Sequence, residues 1–126
     1  MNFIIQSGGQ PIYEQLVHQA KQKILNGELK AGEALPSIRA LAKDLEISVI
    51  TTKRAYEELE QEGVICSVPG KGFYVNQPDT ERLLKQETQG WEERLKSVMA
   101  EAVRLQISRE EILAAVEKYY GEGKFR

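Results

Sequence analysis

Residues able to carry chemistry are few in this chain of 126 residues. Its one cysteine, Cys66, cannot close an internal disulfide, and no CxxC pair is present to hold zinc. Its one histidine, His18, has no second metal ligand near it in sequence and reads as a surface or boundary residue. No run approaches the ~20 apolar residues of a membrane-spanning helix. No leader peptide is evident either, because Asn2 to Gln10 is short, uncharged and followed at once by a helix pattern. These absences together set the expectation of a cytoplasmic protein with no membrane association. There is no GxGxxG or Walker loop, and the GKG at 70–72 is too short to be one. Carboxylates are numerous but fall at solvent spacing on helix patterns, which reads as solvated surface rather than general-acid chemistry. The expectation is a protein that is not an enzyme and carries no cofactor and no metal.

A basic excess is also missing, since the formal net charge is −2. That does not exclude nucleic acid, because a DNA footprint depends on where charge sits rather than on its sum. The length suits one compact domain plus an appendage, and 41% hydrophobic with 29% charged residues is ordinary for a folded chain.

What is present is concentrated between Leu35 and Val75. A first helix precedes this region: Pro11 suits a helix start, Ile12, Leu16, Ala20 and Ile24 repeat at helical spacing, and Asn26-Gly27 stops it. Ahead of it, Phe3 to Ile5 is a short apolar run before Gly8-Gly9, either an edge strand or a tucked arm. Ser37 can cap a second helix with Ile38, Leu41, Ala42 and Leu45 on its buried face. Glu46-Ile47-Ser48 is a turn, and Ser48 caps a third helix from about Val49 to Glu62. Thr52, Ala55, Tyr56 and Leu59 share the core stripe of that helix. Gly63 ends it, and Val64 to Val68 with Phe73 to Val75 read as a hairpin around Pro69-Gly70-Lys71-Gly72. Helix, turn, helix and then a β-wing is the order by which a small domain pushes one helix into the major groove of DNA.

On that reading each candidate has a task. Lys53 can reach guanine acceptors or a phosphate, and Ser48 and Thr51 are short donors for phosphates or close base edges. Val49 and Ile50 are β-branched apolar residues at a helix start. For Val49, partial burial against the turn and contact with thymine methyls are equal alternatives, whereas Ile50 favours the methyl contact. Arg39 and Lys71 would clamp phosphates on either side, or Lys71 would reach the minor groove. Lys43 and Arg54 read equally as solvated charges or as contacts. The acids Glu57, Glu58, Glu60 and Glu62 cluster at the far end of the third helix, which gives it a DNA-facing start and a DNA-averse end. The rival is a winged helix that docks proteins and binds no DNA.

After a linker at 76–79, Asp79 or Thr80 can cap a long helix. In it Leu84, Trp91, Leu95, Val98, Ala102 and Leu105 follow heptad-like spacing, with Met99 broadening the stripe. A homodimer interface is the favoured reading of this stripe, and packing back onto the N-terminal domain is the alternative. Gly90 beside Trp91 weakens the helix locally and suggests a bend or a break. Ser108 with Glu111 suggests a capping box for a last helix closed by Gly121. Trp91, Tyr119 and Tyr120 could instead line a pocket for a small-molecule effector.

The strings PIYEQL at 11–16, LPSIRALA at 35–42, TTKRAYEELEQEG at 51–63 and GKGFYV at 70–75 occur in that order. They resemble the GntR family of bacterial transcription regulators, and the short C-terminal part resembles its YtrA-like branch. The resemblance implies an α+β, mainly α protein: a winged helix-turn-helix over 1–75, then a pair of dimerisation helices over 80–126. It further implies a homodimer that binds a palindromic double-stranded DNA operator, usually as a repressor, with links to transporter operons. The family's DNA contacts would fall on Ser37, Arg39, Ser48, Thr51 and Lys53, with Gly70 and Lys71 on the wing. Many members carry Arg directly after the turn serine, where this chain has Val49.

Overall fold

The structure, a computed structural model, describes residues 2–6 and 9–124. Gly8 of the Gly8-Gly9 pair and the last two residues of the 80–126 segment lie outside them. The element order is α1 (Ile12–Leu25), α2 (Ile38–Leu45), α3 (Val49–Gln61), β1 (Ile65–Val68), β2 (Gly72–Val75), α4 (Thr80–Arg104) and α5 (Arg109–Lys124). The chain divides into two compact units, Met1–Glu87 and Thr88–Arg126.

In the first unit α3 packs on both α1 and α2. Its core joins Leu16, Val17 and Ala20 of α1 to Leu41 of α2, to Ala55, Tyr56 and Leu59 of α3 and to Ile65 of β1. These are the stripes at helical spacing in the sequence, and burying them against one another is the main stabilising term. Both serine caps form: Ser37 accepts from the Ala40 N–H and Ser48 from the Thr51 N–H. Pro11 takes the cap position of α1, one residue ahead of the first helical turn.

β1 and β2 pair antiparallel, Ile65 opposite Val75 and Val68 opposite Gly72. Residues 32–35 lie along the free edge of β2. The Gly32 N–H donates to the Val75 carbonyl, Val75 N–H to Glu33 and Leu35 N–H to Phe73, with an isolated bridge between Ala34 and Tyr74. In the sequence Lys30-Ala31-Gly32 reads as a turn, and the edge that follows it carries no strand pattern of its own. The apolar arm is tucked rather than a strand. Gln19 exchanges two hydrogen bonds with the Ile4 backbone, at 2.9 and 2.6 Å, and Gln15 does the same for Gln6, at 2.9 and 3.0 Å. Two carboxamides one helical turn apart thus satisfy alternate residues of an extended segment, and Phe3 and Ile5 meet the core.

The first unit extends beyond the wing. Leu83, from the first turn of α4, is buried with Ile24, Leu29 and Val75. Asp79 caps that helix through the Arg82 N–H. The half-buried His18 places Nδ1 3.1 Å from an oxygen of the buried Glu87, a structural contact between α1 and α4. Lys21, buried on α1, reaches Glu62 at 2.8 Å.

In the second unit α4 continues through Gly90 without a break. A single glycine costs about 1 kcal/mol in a helix interior, too little to interrupt one of this length. Likewise α5 runs past Gly121 to Lys124. Its start is as expected, with Ser108 accepting from the Glu111 N–H. No helix among the described residues is long and apolar enough to cross a membrane.

Candidate nucleic-acid interface

The turn between α2 and α3 sets which side chains face out. Glu46 closes α2 in the left-handed conformation, φ 56°. The Ile47 N–H then bonds back to the Ala42 carbonyl, and Ile47 packs on the core. The chain leaves this turn with Ser48 extended. Its hydroxyl accepts from the Thr51 N–H at 3.0 Å and donates to Thr51 Oγ1 at 2.7 Å. The proton of Ser48 is thereby committed to Thr51, and the Thr51 hydroxyl becomes the outer donor of the pair.

From that start the faces of α3 separate sharply. Thr52 and Ala55 are 0% exposed, and Tyr56 and Leu59 are also buried. On the other side Ile50 is 80% exposed and Val49 47%. The Lys53 side chain is largely in solvent, its ammonium 3.9 Å from Glu57 across one turn, a surface pair of little energetic weight. Arg39 and Lys43 on α2 are exposed as well.

Tyr56 ties this helix to the wing and to the lead-in of α2. The Tyr56 ring meets Phe73 of β2 edge-on, centroids 4.9 Å apart, and its hydroxyl donates to the Pro36 carbonyl at 2.7 Å. Burial holds this phenol protonated well above its ordinary range. At the wing tip the Lys71 N–H donates to the Val68 carbonyl, and Gly70 and Gly72 take positive φ, 75° and 100°. A β-carbon is disfavoured at both, and the turn leaves Lys71 exposed.

Other charges have tasks inside the protomer that sequence alone did not reveal. The Arg54 guanidinium stacks 3.8 Å from the Tyr13 ring centroid and bonds its hydroxyl, so Arg54 is held against α1. Glu60 accepts from the Ser67 N–H at the start of the wing, and Glu62 pairs with buried Lys21. Two of the acids that make the end of α3 negative are therefore fasteners. No signal within α3 marks them, because their partners come from other elements.

The described residues contain no cluster of His, Cys, Asp or Glu able to hold a metal ion. Trp91, Tyr119 and Tyr120 are exposed rather than enclosing a pocket. A small cleft of about 190 Å³ lies instead in the first unit, between Glu62–Val64 and the Gln77–Gln86 segment. In the second unit Trp91, Leu95, Val98 and Leu105 are exposed in the protomer, as is Leu84 in the first, while Met99 is half-buried. Ala102 departs from the expected interface stripe. It is 5% exposed, already covered inside the protomer near the α4–α5 turn, where the Ile107 N–H bonds its carbonyl.

Three helices, a tight turn before the third, and a hairpin beside it define a winged helix-turn-helix protein. The model for bacterial regulatory proteins of the gntR family matches residues 12–75, and this chain belongs to that family. It is 37% identical over 92 residues to the HTH-type transcriptional repressor YtrA of Bacillus subtilis, covering 73% of this chain and 71% of that protein. A GntR family transcriptional regulator from Listeria monocytogenes has a similar structure, with TM-score 0.63 and 35% identity over 90% of this chain and 98% of that one. YtrA from Sulfolobus acidocaldarius aligns with TM-score 0.54 and 29% identity over 92% and 93% of the two chains. The protein is thus a GntR-family DNA-binding transcription regulator, similar to proteins named as transcription regulators.

Proposed function

We propose that this protein is a homodimeric repressor that reads a palindromic operator with the start of α3 and the tip of the wing. The observation that carries the proposal is the joint exposure of Ile50 and Lys53 on a helix whose opposite face is buried. Such a helix can enter a major groove without disturbing its own core. Lys53 meets a guanine edge or a phosphate. Thr51, relayed from Ser48, donates to the backbone, and Val49 lies beside Ile50. Ser37 and Arg39 hold one phosphate strand from the start of α2, and Lys71 holds another, with Gly70 letting the wing backbone come close.

One such helix reads too few base pairs for specificity, so two copies joined by symmetry are needed. Exposed Leu84, Trp91, Leu95, Val98 and Leu105, with half-buried Met99, supply an apolar stripe that a second copy would cover. On this proposal residues 1–75 bind DNA, 76–79 link, and 80–126 dimerise and hold any small effector. Likeness to the YtrA repressor supports repression, with a transporter operon as the controlled target. The test is selection of bound sequences from a pool of random duplex DNA by the full chain. A two-fold symmetric site with half-sites roughly 34 Å apart, one turn of DNA, is expected. Enrichment of nothing, or of an asymmetric single site, refutes the proposal.

A further inference from the structure

The apolar side chains of α3 from Ala55 onward are buried, yet Ile50 stands 80% exposed at its second residue. Its neighbours on that surface are Ser48, Thr51 and Lys53, with Val49 the one other apolar side chain. Two adjacent residues ringed by polar ones are far too small an area for a stable protein interface. They match something smaller. Isoleucine in a helix has essentially one χ1 rotamer, so its methyl groups are held in place before anything binds. It has no hydrogen-bonding atom, so it cannot satisfy a guanine oxygen or a cytosine amino group, and covering either would strip water from it without replacement. One base edge in the major groove offers an apolar group instead, the 5-methyl of thymine.

We infer that Ile50 is a specificity-determining residue that selects a thymine through its 5-methyl group, an inference that rests on the DNA-reading role of α3 proposed above. Lys53 lies one turn further along the same face, so the selected thymine sits within a few base pairs of the group that Lys53 contacts. The chemistry being read is a methyl at C5 of a pyrimidine. A 5-methylcytosine in the same place therefore presents the same feature, and cytosine does not.

The experiment starts from operators selected out of random duplex DNA by the full chain. Each thymine is then replaced singly by deoxyuridine, which deletes the methyl and leaves every hydrogen-bonding group in place. Burial of one methyl corresponds to about fourfold in affinity. We expect a loss of about that size at one position per half-site and roughly fifteenfold when both half-sites are changed. Ile50→Ala should bind the thymine and uracil operators equally, and should match the wild-type chain on the uracil operator, which also shows that the variant is folded. Placing 5-methylcytosine rather than cytosine at that position should raise wild-type affinity and leave Ile50→Ala unmoved. A flat deoxyuridine scan overturns the inference. So does a uracil penalty that survives in Ile50→Ala and disappears in Val49→Ala. Failure to enrich any operator would instead remove the DNA-reading role itself, so the two failures are told apart at the first step.

Discussion

Replacing Tyr56 by Phe deletes one oxygen atom at the point where α3, the lead-in to α2 and the wing meet. The ring and its edge-on contact with Phe73, at 4.9 Å, are kept. The 2.7 Å bond to the Pro36 carbonyl is lost, and that carbonyl keeps no donor from this residue. A neutral hydrogen bond contributes ~1 kcal/mol net, and leaving its partly buried partner unsatisfied adds to the loss, so the variant should be less stable by about 1–2 kcal/mol at pH 7. For a domain of this size that lowers the midpoint by roughly 5–15 °C. The difference should then depend on pH in one direction. Burial raises the Tyr56 phenol pKa in the folded chain, whereas in the unfolded chain it ionises near its ordinary value of about 10. Above that pH the unfolded state binds fewer protons than the native one, so stability falls as pH rises. One proton released on unfolding amounts to about 1.4 kcal/mol at pH 11. Tyr56→Phe has no such proton to lose, and the raised Tyr13 phenol acts alike in both proteins. Urea unfolding followed by circular dichroism should show the wild-type advantage at pH 7 shrinking toward zero at pH 11. An advantage that is the same at both pH values would mean that Tyr56 is not held protonated by burial.

Lys53→Ala should weaken binding to a selected operator by about 1–3 kcal/mol with relaxed specificity if Lys53 reads a base; an unchanged gel shift would remove Lys53 from the interface. Lys71→Ala should lower the salt dependence of binding by about one ion for each protomer, and an unaltered slope would count against a phosphate contact at the wing tip. Leu95→Asp should leave the winged unit folded and yield monomers by light scattering, whereas a persistent dimer would place the interface elsewhere. Glu46 is a non-glycine residue at φ 56°. Glu46→Gly should relieve strain of about 1 kcal/mol, offset in part by the flexibility of glycine, and raise the melting temperature slightly. A fall would show that the Glu46 side chain contributes a contact of its own.

The parts legible in the sequence are those decided within a few residues. Ser37 and Ser48 cap helices because a hydroxyl reaches an N–H three residues on, and no distant partner is involved. The core stripe Thr52, Ala55, Tyr56, Leu59 and the outward position of Ile50 and Lys53 follow from the helical repeat alone. Gly90 and Gly121 misled for a related reason: local propensity is weak, and each helix continued through its glycine.

The sequence by itself therefore determined the order of helices, turn and hairpin, and the face of α3 that meets water. The tertiary structure alone decided the strand-like edge at 32–35, the stacking of Arg54 on Tyr13, the use of Glu60 and Glu62 as fasteners, and the covering of Ala102. Apart from Ala102, these join segments brought together only when the chain closes a loop, and such closure leaves no periodicity or spacing in either segment. Ala102 fitted its stripe by spacing alone, but burial at a helix turn is settled by what the following residues cover.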